Sequence, residues 1–305
     1  MNTALKDLRP VYVVGIGLHP YQKPSDTPYT ALGVHAIRAA IEDAGISWAD
    51  VNSAYTGTAT TAMGMSRLMY RHLGATGIPM VQVENASASG STAFRQACIE
   101  VASGLTNVSI AVGVDKPLGA KMPQRAAGIR DLGGSRVAPF THFALLANRY
   151  MHDHGATPEQ FAAVAVKNSK NGALNPNAQR QKARTMEEVL APPQISGPLT
   201  KLQCCPIGEG AAAAIVVSED ALTQLGLDRS RAVRVLSSAS RSETVYEGEN
   251  FDAALTRETT AQALSETGLK PSDLDLIELH DAFTMEELLY VEAMGLCKEG
   301  QAASK

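Results

Sequence analysis

The chain has 305 residues, of which 45% are hydrophobic, and it carries a formal net charge of −4 at pH 7. This length allows one large hydrophobic core or two smaller ones, and the weakly negative charge argues against nucleic acid and favours a small-molecule ligand. No apolar run reaches the roughly 18 residues of a membrane span, and residues 1–10 lack the apolar core of a secretion signal, so we expect a cytoplasmic protein.

The first part of the chain alternates predicted strands and helices. A helix is expected to begin at Thr27-Pro28, to bury residues at spacings of three and four, and to end at Gly45. Strands are predicted at 11–17, 51–56, 80–83 and 108–114, and a second helix at 88–103. Alternation of this kind indicates an α/β fold with a mainly parallel sheet and helices on both faces.

The regular pattern stops at residues 116–140, a stretch of Gly, Pro, Arg and Lys that is typical of a lid or binding loop. Helices are predicted again at 141–154 and at 158–171, the second capped by Thr157, and a strand at 211–217. We therefore expect 115–200 to be an inserted loop or cap region. Residues 1–114 and 201–231 would form the first α/β half.

Residues 264–274 repeat the design of residues 41–51. Each segment has a helix end, a glycine (Gly45 or Gly268), an apolar residue, a short acidic turn and an apolar strand, predicted at 274–279 in the second copy. This similarity indicates an internal duplication, with 232–305 as the second half. Because the counterpart of Ser87 would fall beyond Lys305, we expect that half to be incomplete.

A candidate catalytic turn lies at residues 83–93, where an apolar strand ends, small residues follow and a helix begins. Ser87 stands at the helix start, where free N–H groups and the helix dipole favour an anion. A thiol with a pKa near ~8.5 would ionise there, whereas a serine hydroxyl needs a paired base. Alternatively, Ser87 or Ser89 caps the helix by a hydrogen bond.

Four segments together resemble the thiolase superfamily, in particular its lipid-transfer-protein or sterol-carrier-protein-x branch. They are 85–90, 164–168 with 175–178, 205–213 and 280–284, and they follow the family's order over nearly the whole chain. The resemblance implies a thiolase fold, in which two similar βαβ halves with mainly parallel sheets pack face to face and carry an inserted loop domain.

The same resemblance implies the site residues. Ser87 occupies the position of the family's nucleophilic cysteine, and His280 would polarise the thioester carbonyl or its enolate. His280 follows a predicted strand, at the edge where α/β proteins bind ligands, although it is alternatively a helix cap. No Gly-His-Pro segment supplies the family's second histidine. Residues implied in substrate binding are Asn85, Ser89, Gly90, Gly208 and Phe283.

No cofactor is expected other than the CoA that forms part of the substrate. No metal site is expected either, because Cys98, Cys204, Cys205 and Cys297 lack zinc-ligand spacing. Their pattern fits reduced thiols in a reducing compartment better than a disulfide framework. The basic residues of the long loop either meet CoA phosphates or are solvated charges; they are Lys116, Lys121, Arg125 and Arg130.

Two functions fit these observations. The first is an enzyme that makes or breaks a C–C bond next to an acyl-CoA thioester, by acyl transfer or by the retro-aldol route, which needs no acyl-enzyme and so suits Ser87. Lipid or steroid side-chain degradation, a homodimer and a small zinc-containing OB-fold partner are then implied. A deliberate Cys→Ser exchange at position 87 would give the same sequence. The second is a non-catalytic thiolase-like subunit that binds acyl-CoA or scaffolds a partner.

Overall fold

The computed structural model describes residues 4–117, 139–246 and 250–304. Its helices are α1 (Tyr29–Ala44), α2 (Met65–Tyr70), α3 (Ser89–Ala102), α4 (Pro139–His154), α5 (Pro158–Leu174), α6 (Met186–Leu190), α7 (Glu219–Gln224), α8 (Phe251–Thr267) and α9 (Thr284–Ala293). Its strands are β1 (Val11–Gln22), β2 (Ser53–Gly57), β3 (Met80–Val83), β4 (Val108–Asp115), β5 (Gln194–Ser196), β6 (Leu199–Thr200), β7 (Glu209–Ser218) and β8 (Val233–Arg234). Across these described ranges, no helix has the length and apolar character needed to span a membrane.

The chain divides into two compact units. The first unit contains Met1–Gly119 and Ile207–Ser240, and the second contains Ala120–Pro206 and Arg241–Lys305. The domain boundaries that we expect from the sequence stay a prediction.

A six-stranded sheet in the order β3-β2-β4-β7-β1-β8 forms the centre of the first unit. Strand β2 pairs in parallel with β3 and β4, whereas β7 pairs antiparallel with β4 and β1, and β8 pairs antiparallel with β1. The strands β1 to β4 therefore share one direction, which confirms the mainly parallel sheet. The opposite direction of β7 was not predicted, because a wholly apolar strand has the same pattern in either direction.

Helix α1 covers one face of this sheet and ends as predicted. Gly45 adopts the left-handed conformation with φ of 70°, and the N–H of Ile46 donates to the carbonyl of Ile41 at 3.2 Å. This is the Schellman arrangement, which satisfies the last carbonyls of a helix. The core below it includes the fully buried side chains of Leu32, Ile37 and Ile215.

In the segment 264–279, the predicted turn is confirmed and the predicted strand is wrong. Gly268 ends α8 with φ of 79°, and the Asp273 carboxylate accepts the N–H of Lys270 at 2.8 Å, as Asp50 does for Ser47 at 2.7 Å. Residues 274–279, however, pair with no strand among the described residues, and Leu276 is 79% exposed. An apolar pattern favours an extended backbone, but a strand also needs a neighbour for its N–H and C=O groups.

The second unit is mainly helical. Helix α9 packs against α4, α5 and α8, and Phe161, Phe283 and Met285 are buried in the core between them. The two predicted helices are confirmed with small extensions, α4 beginning at Pro139 and α5 ending at Leu174.

A buried carboxyl group caps α9. Glu286 is 1% exposed; its Oε2 accepts the N–H of Phe283 at 2.8 Å, and its Oε1 accepts the hydroxyl of Tyr290 at 2.9 Å. Burial raises the pKa of Glu286 to about 7 despite these hydrogen bonds, and the nearby carboxyls of Asp252 and Asp281 raise it further. The N-terminus of α9 therefore depends on a carboxyl that is costly to ionise.

The close approach of α3 to β2 gives a first prediction. A Cβ atom at Gly57 would lie 2.0 Å from the carbonyl oxygen of Ser89, so Gly57→Ala must push the first turn of α3 off the sheet. We expect the free energy of unfolding in urea to fall by about 1–3 kcal/mol, the usual cost of overpacking. The control is Gly90→Ala, where the nearest atom is Gly113 Cα at an ordinary 3.7 Å. Equal stability of the two variants would contradict this packing.

The pKa of Glu286 gives a second prediction. Because it is higher in the folded protein, at about 7, than its ordinary value of 4.5, stability should fall as the pH rises from 4.5 to 7. The slope from this group is at most about 1.4 kcal/mol per pH unit. Glu286→Gln keeps the acceptor for Phe283 and should flatten this fall, which urea unfolding between pH 4.5 and 8 measures.

Asp281 titrates in the same window, since burial and then the Glu287 carboxylate raise its pKa to about 6, and it leaves a residual slope in the Glu286→Gln variant. Glu187→Gln, at an exposed position of the same unit, is the matched control and should keep the full dependence. A Glu286→Gln profile that overlays the control would show that Glu286 is not the titrating group.

Candidate active site

The candidate catalytic turn joins β3 to α3 at the carboxyl end of the parallel strands. Strand β3 ends at Val83 and α3 begins at Ser89, so Ser87 lies in the connection. Its side chain is exposed and makes no hydrogen bond with another described residue. Ala88 occupies the N-cap position of α3, and its side chain makes no capping hydrogen bond. The alternative that Ser87 or Ser89 is the N-cap is therefore wrong.

A strained backbone shapes this turn. Ala86 has φ of 45°, the left-handed region that a non-glycine residue adopts at a cost. Three hydrogen bonds hold it: Glu84 Oε1 accepts the Ala86 N–H at 2.6 Å, Ser89 Oγ donates to the Ala86 carbonyl at 2.7 Å, and Ser89 Oγ accepts the Asn85 N–H at 2.8 Å. Ser89 is 3% exposed, so the structure gives it a role in closing the turn.

Two other predicted site residues support the same turn. The side-chain amide of Asn85 donates to Thr92 Oγ1 at 3.0 Å, which links the turn to the next turn of α3. Gly90 lies against Gly113 of β4, where an added Cβ at Gly113 would be 3.4 Å from the Gly90 Cα. An added Cβ at either position would make only an ordinary contact, so it is the missing side chain of Gly57 that lets α3 start directly on the sheet.

The neighbouring strand ends carry a dense polar network. The Asp115 carboxylate at the end of β4 accepts hydrogen bonds from the loop that follows β2. The donors are the Thr58 hydroxyl at 2.9 Å, the Ala59 N–H at 2.9 Å and the Thr60 N–H at 2.8 Å. This network fixes the loop at the sheet edge that also carries residue 87.

Lys116 forms an ion pair with Glu209, 2.6 Å between Nζ and Oε2, where Glu209 is fully buried at the start of β7. Burial alone would raise the pKa of Glu209, but hydrogen bonds from Lys116, Ser25 and Gln22 outweigh it and lower the pKa to about 2. The interpretation of Lys116 as a solvated charge is therefore wrong, and its contact with CoA phosphates stays a prediction. Lys121, Arg125 and Arg130 lie outside the described residues. Gly208 is half-buried and directly precedes this carboxylate.

The remaining predicted site residues, His280 and Phe283, belong to the second unit. His280 is exposed and ends an extended segment without regular secondary structure. Phe283 is buried, stacks on Phe143 with ring centroids 4.7 Å apart, and is itself the N-cap position of α9. The alternative that His280 caps this helix is therefore wrong.

Sequence reasoning missed the polar contacts around this segment. The side-chain amide of Asn168 donates to Asp281 Oδ2 at 2.9 Å and to Glu287 Oε2 at 3.3 Å, and Lys167 pairs with Glu287. The sequence signal was present, because Lys167 and Asn168 belong to one of the segments that carried the family resemblance. Glu286 stands three residues after its N-cap, but the cap is a phenylalanine, which conceals the capping box.

A metal site is not found in the part of the chain that the structure describes, where no three His, Cys, Asp or Glu side chains are placed to hold an ion. The four cysteines are free.

Comparison with known proteins identifies the family. The model of the thiolase N-terminal domain matches residues 11–220, and that of the thiolase C-terminal domain-like family matches residues 237–305. Sterol carrier protein 2 of Oryctolagus cuniculus is 34% identical, and the alignment covers all of this chain and 60% of that protein. The benzoylsuccinyl-CoA thiolase subunit BbsB of Thauera aromatica is 35% identical over 96% of this chain and 77% of its own length.

Solved structures agree with these relatives. The Ltp2-ChsH2(DUF35) aldolase superposes with a TM-score of 0.79 at 27% identity, over 97% of this chain and 79% of that one. Human mitochondrial 3-ketoacyl-CoA thiolase in complex with CoA has a TM-score of 0.75 at 19% identity over 97% and 85%, a likeness of fold. The chain spans about three-fifths of the length of the sterol carrier protein 2 relatives. The thiolase fold is confirmed, and the chain belongs to the thiolase superfamily, in the branch that includes sterol carrier protein 2.

Proposed function

We propose that this chain is a thiolase-like enzyme that makes or breaks a C–C bond next to an acyl-CoA thioester. The observation that carries the proposal is the strained β3–α3 turn, which presents the exposed side chain of residue 87 beside the N-terminus of α3. Free N–H groups and the helix dipole at such a position stabilise negative charge that develops on a bound carbonyl or on a thiolate.

The residue at this position favours the retro-aldol route over acyl transfer. Ser87 has no base within hydrogen-bonding distance among the described residues, so these residues supply no means to activate its hydroxyl. Retro-aldol cleavage needs no acyl-enzyme: a base removes the proton of a β-hydroxyl group, the Cα–Cβ bond breaks, and its electron pair forms the thioester enolate. A proton then returns to Cα. His280 would donate a hydrogen bond to the enolate oxygen.

The names of the relatives support a CoA thioester substrate and a second subunit. One solved relative is an aldolase of two named components, Ltp2 and ChsH2(DUF35), and BbsB is a subunit of a CoA thiolase. We propose an acyl-CoA substrate, of lipid or steroid side-chain origin, for a cytoplasmic homodimer with a small zinc-containing OB-fold partner. No further cofactor enters the scheme, in which CoA is part of the substrate.

A substrate panel tests the reaction class. The protein is incubated with 3-hydroxyacyl-CoA and with 3-ketoacyl-CoA thioesters, followed by mass spectrometry of products and intact protein. The 3-hydroxyacyl-CoA should give a shortened acyl-CoA plus a ketone or aldehyde, the 3-ketoacyl-CoA should stay intact, and neither should leave a protein adduct. A stoichiometric acyl adduct that disappears in Ser87→Ala would support acyl transfer instead. Saturable acyl-CoA binding without turnover would favour a non-catalytic subunit. The absence of both binding and turnover would reject the proposal.

Restoring a thiol gives a third prediction. In Ser87→Cys the introduced thiol should react with iodoacetamide at pH 7 about tenfold faster than the native cysteines, because the helix start favours the thiolate. Burial instead raises the pKa of Cys98 to about 12, and it also raises the pKa of the exposed Cys205. Peptide mapping after brief labelling measures the rates. Labelling of the introduced thiol no faster than Cys205 would contradict the proposed role of the turn.

The fourth prediction concerns His280. If its imidazole stabilises the enolate, His280→Ala should lower kcat by about 10²–10³, the usual cost of losing one such donor. The fold should persist, because the exposed ring caps no helix. The matched control is His72→Ala, at another exposed histidine, which should keep full turnover and show the same urea midpoint. Equal kcat in the two variants would remove His280 from the mechanism.

A further inference from the structure

The segment that carries His280 lacks the support that a strand would give it. Residues 274–280 make no ladder with any described strand, so no sheet hydrogen bonds fix the backbone on the N-terminal side of His280. On the C-terminal side, contacts hold each of the three consecutive residues 281–283. The described hydrogen bonds that lie nearest to His280 along the chain are therefore those of residues 281–283.

Residues 282 and 283 are held through their backbone. The N–H of Cys205 donates to the carbonyl of Ala282 at 2.8 Å, and a further bridge joins Cys204 to Phe283. The N–H of Phe283 donates to the Glu286 carboxylate at 2.8 Å. These contacts fix residues 282 and 283 but leave Asp281, the neighbour of His280, without a backbone tie.

The contact at Asp281 is made by a side chain on α5. Asn168 Nδ2 donates to Asp281 Oδ2 at 2.9 Å and to Glu287 Oε2 at 3.3 Å. One amide thus bridges two carboxylates that otherwise repel each other. Helix α5 is a firm base for it, because Phe161 and Val164 anchor the same helix in the core of the second unit.

We propose that Asn168 is a positioning residue, which holds Asp281 and through it sets the orientation of the adjacent His280. This inference rests on the proposed function of His280 in catalysis. Electrostatics agree with this arrangement: burial and then the Glu287 carboxylate raise the pKa of Asp281, and the nearby charges of Lys167 and His280 lower it. Asn168 itself does not act on the substrate.

Three substitutions separate this role from a general structural one. Asn168→Ala removes the donor, and Asn168→Asp keeps the size of the side chain but places a third carboxylate against Asp281 and Glu287. Asn168→Gln keeps the amide on a longer arm. Asn171→Ala, at an exposed position of the same helix, is the matched control for loss of an amide from α5.

We expect kcat on the acyl-CoA substrate to fall by about 10- to 100-fold in Asn168→Ala, because small displacements of a catalytic group are costly. The kcat of Asn168→Asp should fall at least as far, and that of Asn168→Gln should lie between those of Asn168→Ala and the unaltered protein. In all three variants KM should change less than threefold. The ¹H–¹³C NMR signals of the His280 ring should shift in the Ala and Asp variants and remain native in Asn171→Ala.

The two proposals fail in different ways. If His280→Ala lowers kcat but the Asn168 variants match Asn171→Ala in both kcat and the His280 ring signals, the positioning role is overturned and the enzyme proposal stands. If His280→Ala retains full activity, the catalytic proposal fails, and the ring signals alone decide whether Asn168 orients His280. Equal losses of stability in Asn168→Ala and Asn168→Asp, with unchanged ring signals, would show a structural role only.

Discussion

The hydroxyl of Ser89 accepts the N–H of Asn85 and donates to the carbonyl of Ala86, and this buried pair of hydrogen bonds closes the turn between β3 and α3. Gly57 then lets the first turn of α3 rest directly on the sheet. Residue 87 owes its position beside the helix N-terminus to both features. The geometry of the candidate site is thus set by a serine hydroxyl and by the missing side chain of Gly57.

The second unit uses a different principle to hold His280. The segment before α9 has few backbone partners, and its order comes from side-chain amides, carboxylates and one lysine. Asp281 and Glu286 are carboxyls that burial makes costly to ionise, and Asn168 and Lys167 offset part of the repulsion near Asp281. Burying an ionisable carboxyl lowers the stability of a fold, and interactions elsewhere in the structure must offset that loss.

The fold was largely predictable from sequence because hydrophobic spacing, glycine caps and β-branched runs are local signals. The helix end at Gly45 and the strand Met80–Val83 are examples that the structure confirms. The predictions of a strand at 274–279 and of a solvated charge at Lys116 were wrong for one reason: each outcome depends on a partner that is distant in sequence. The roles of Ser89 and Asn168 could not be predicted either, because their partners are single backbone or carboxylate groups that no periodic pattern marks.

The left-handed conformation of Ala86 has a consequence for how such a site can change. The strain falls on residue 86 and the bonds that relieve it belong to Glu84 and Ser89, so none of the cost depends on the side chain at position 87. A serine and a cysteine, which a single base change can exchange, therefore fit the same turn equally well. An exchange at position 87 therefore changes the chemical group that the turn presents and leaves the backbone that presents it unchanged.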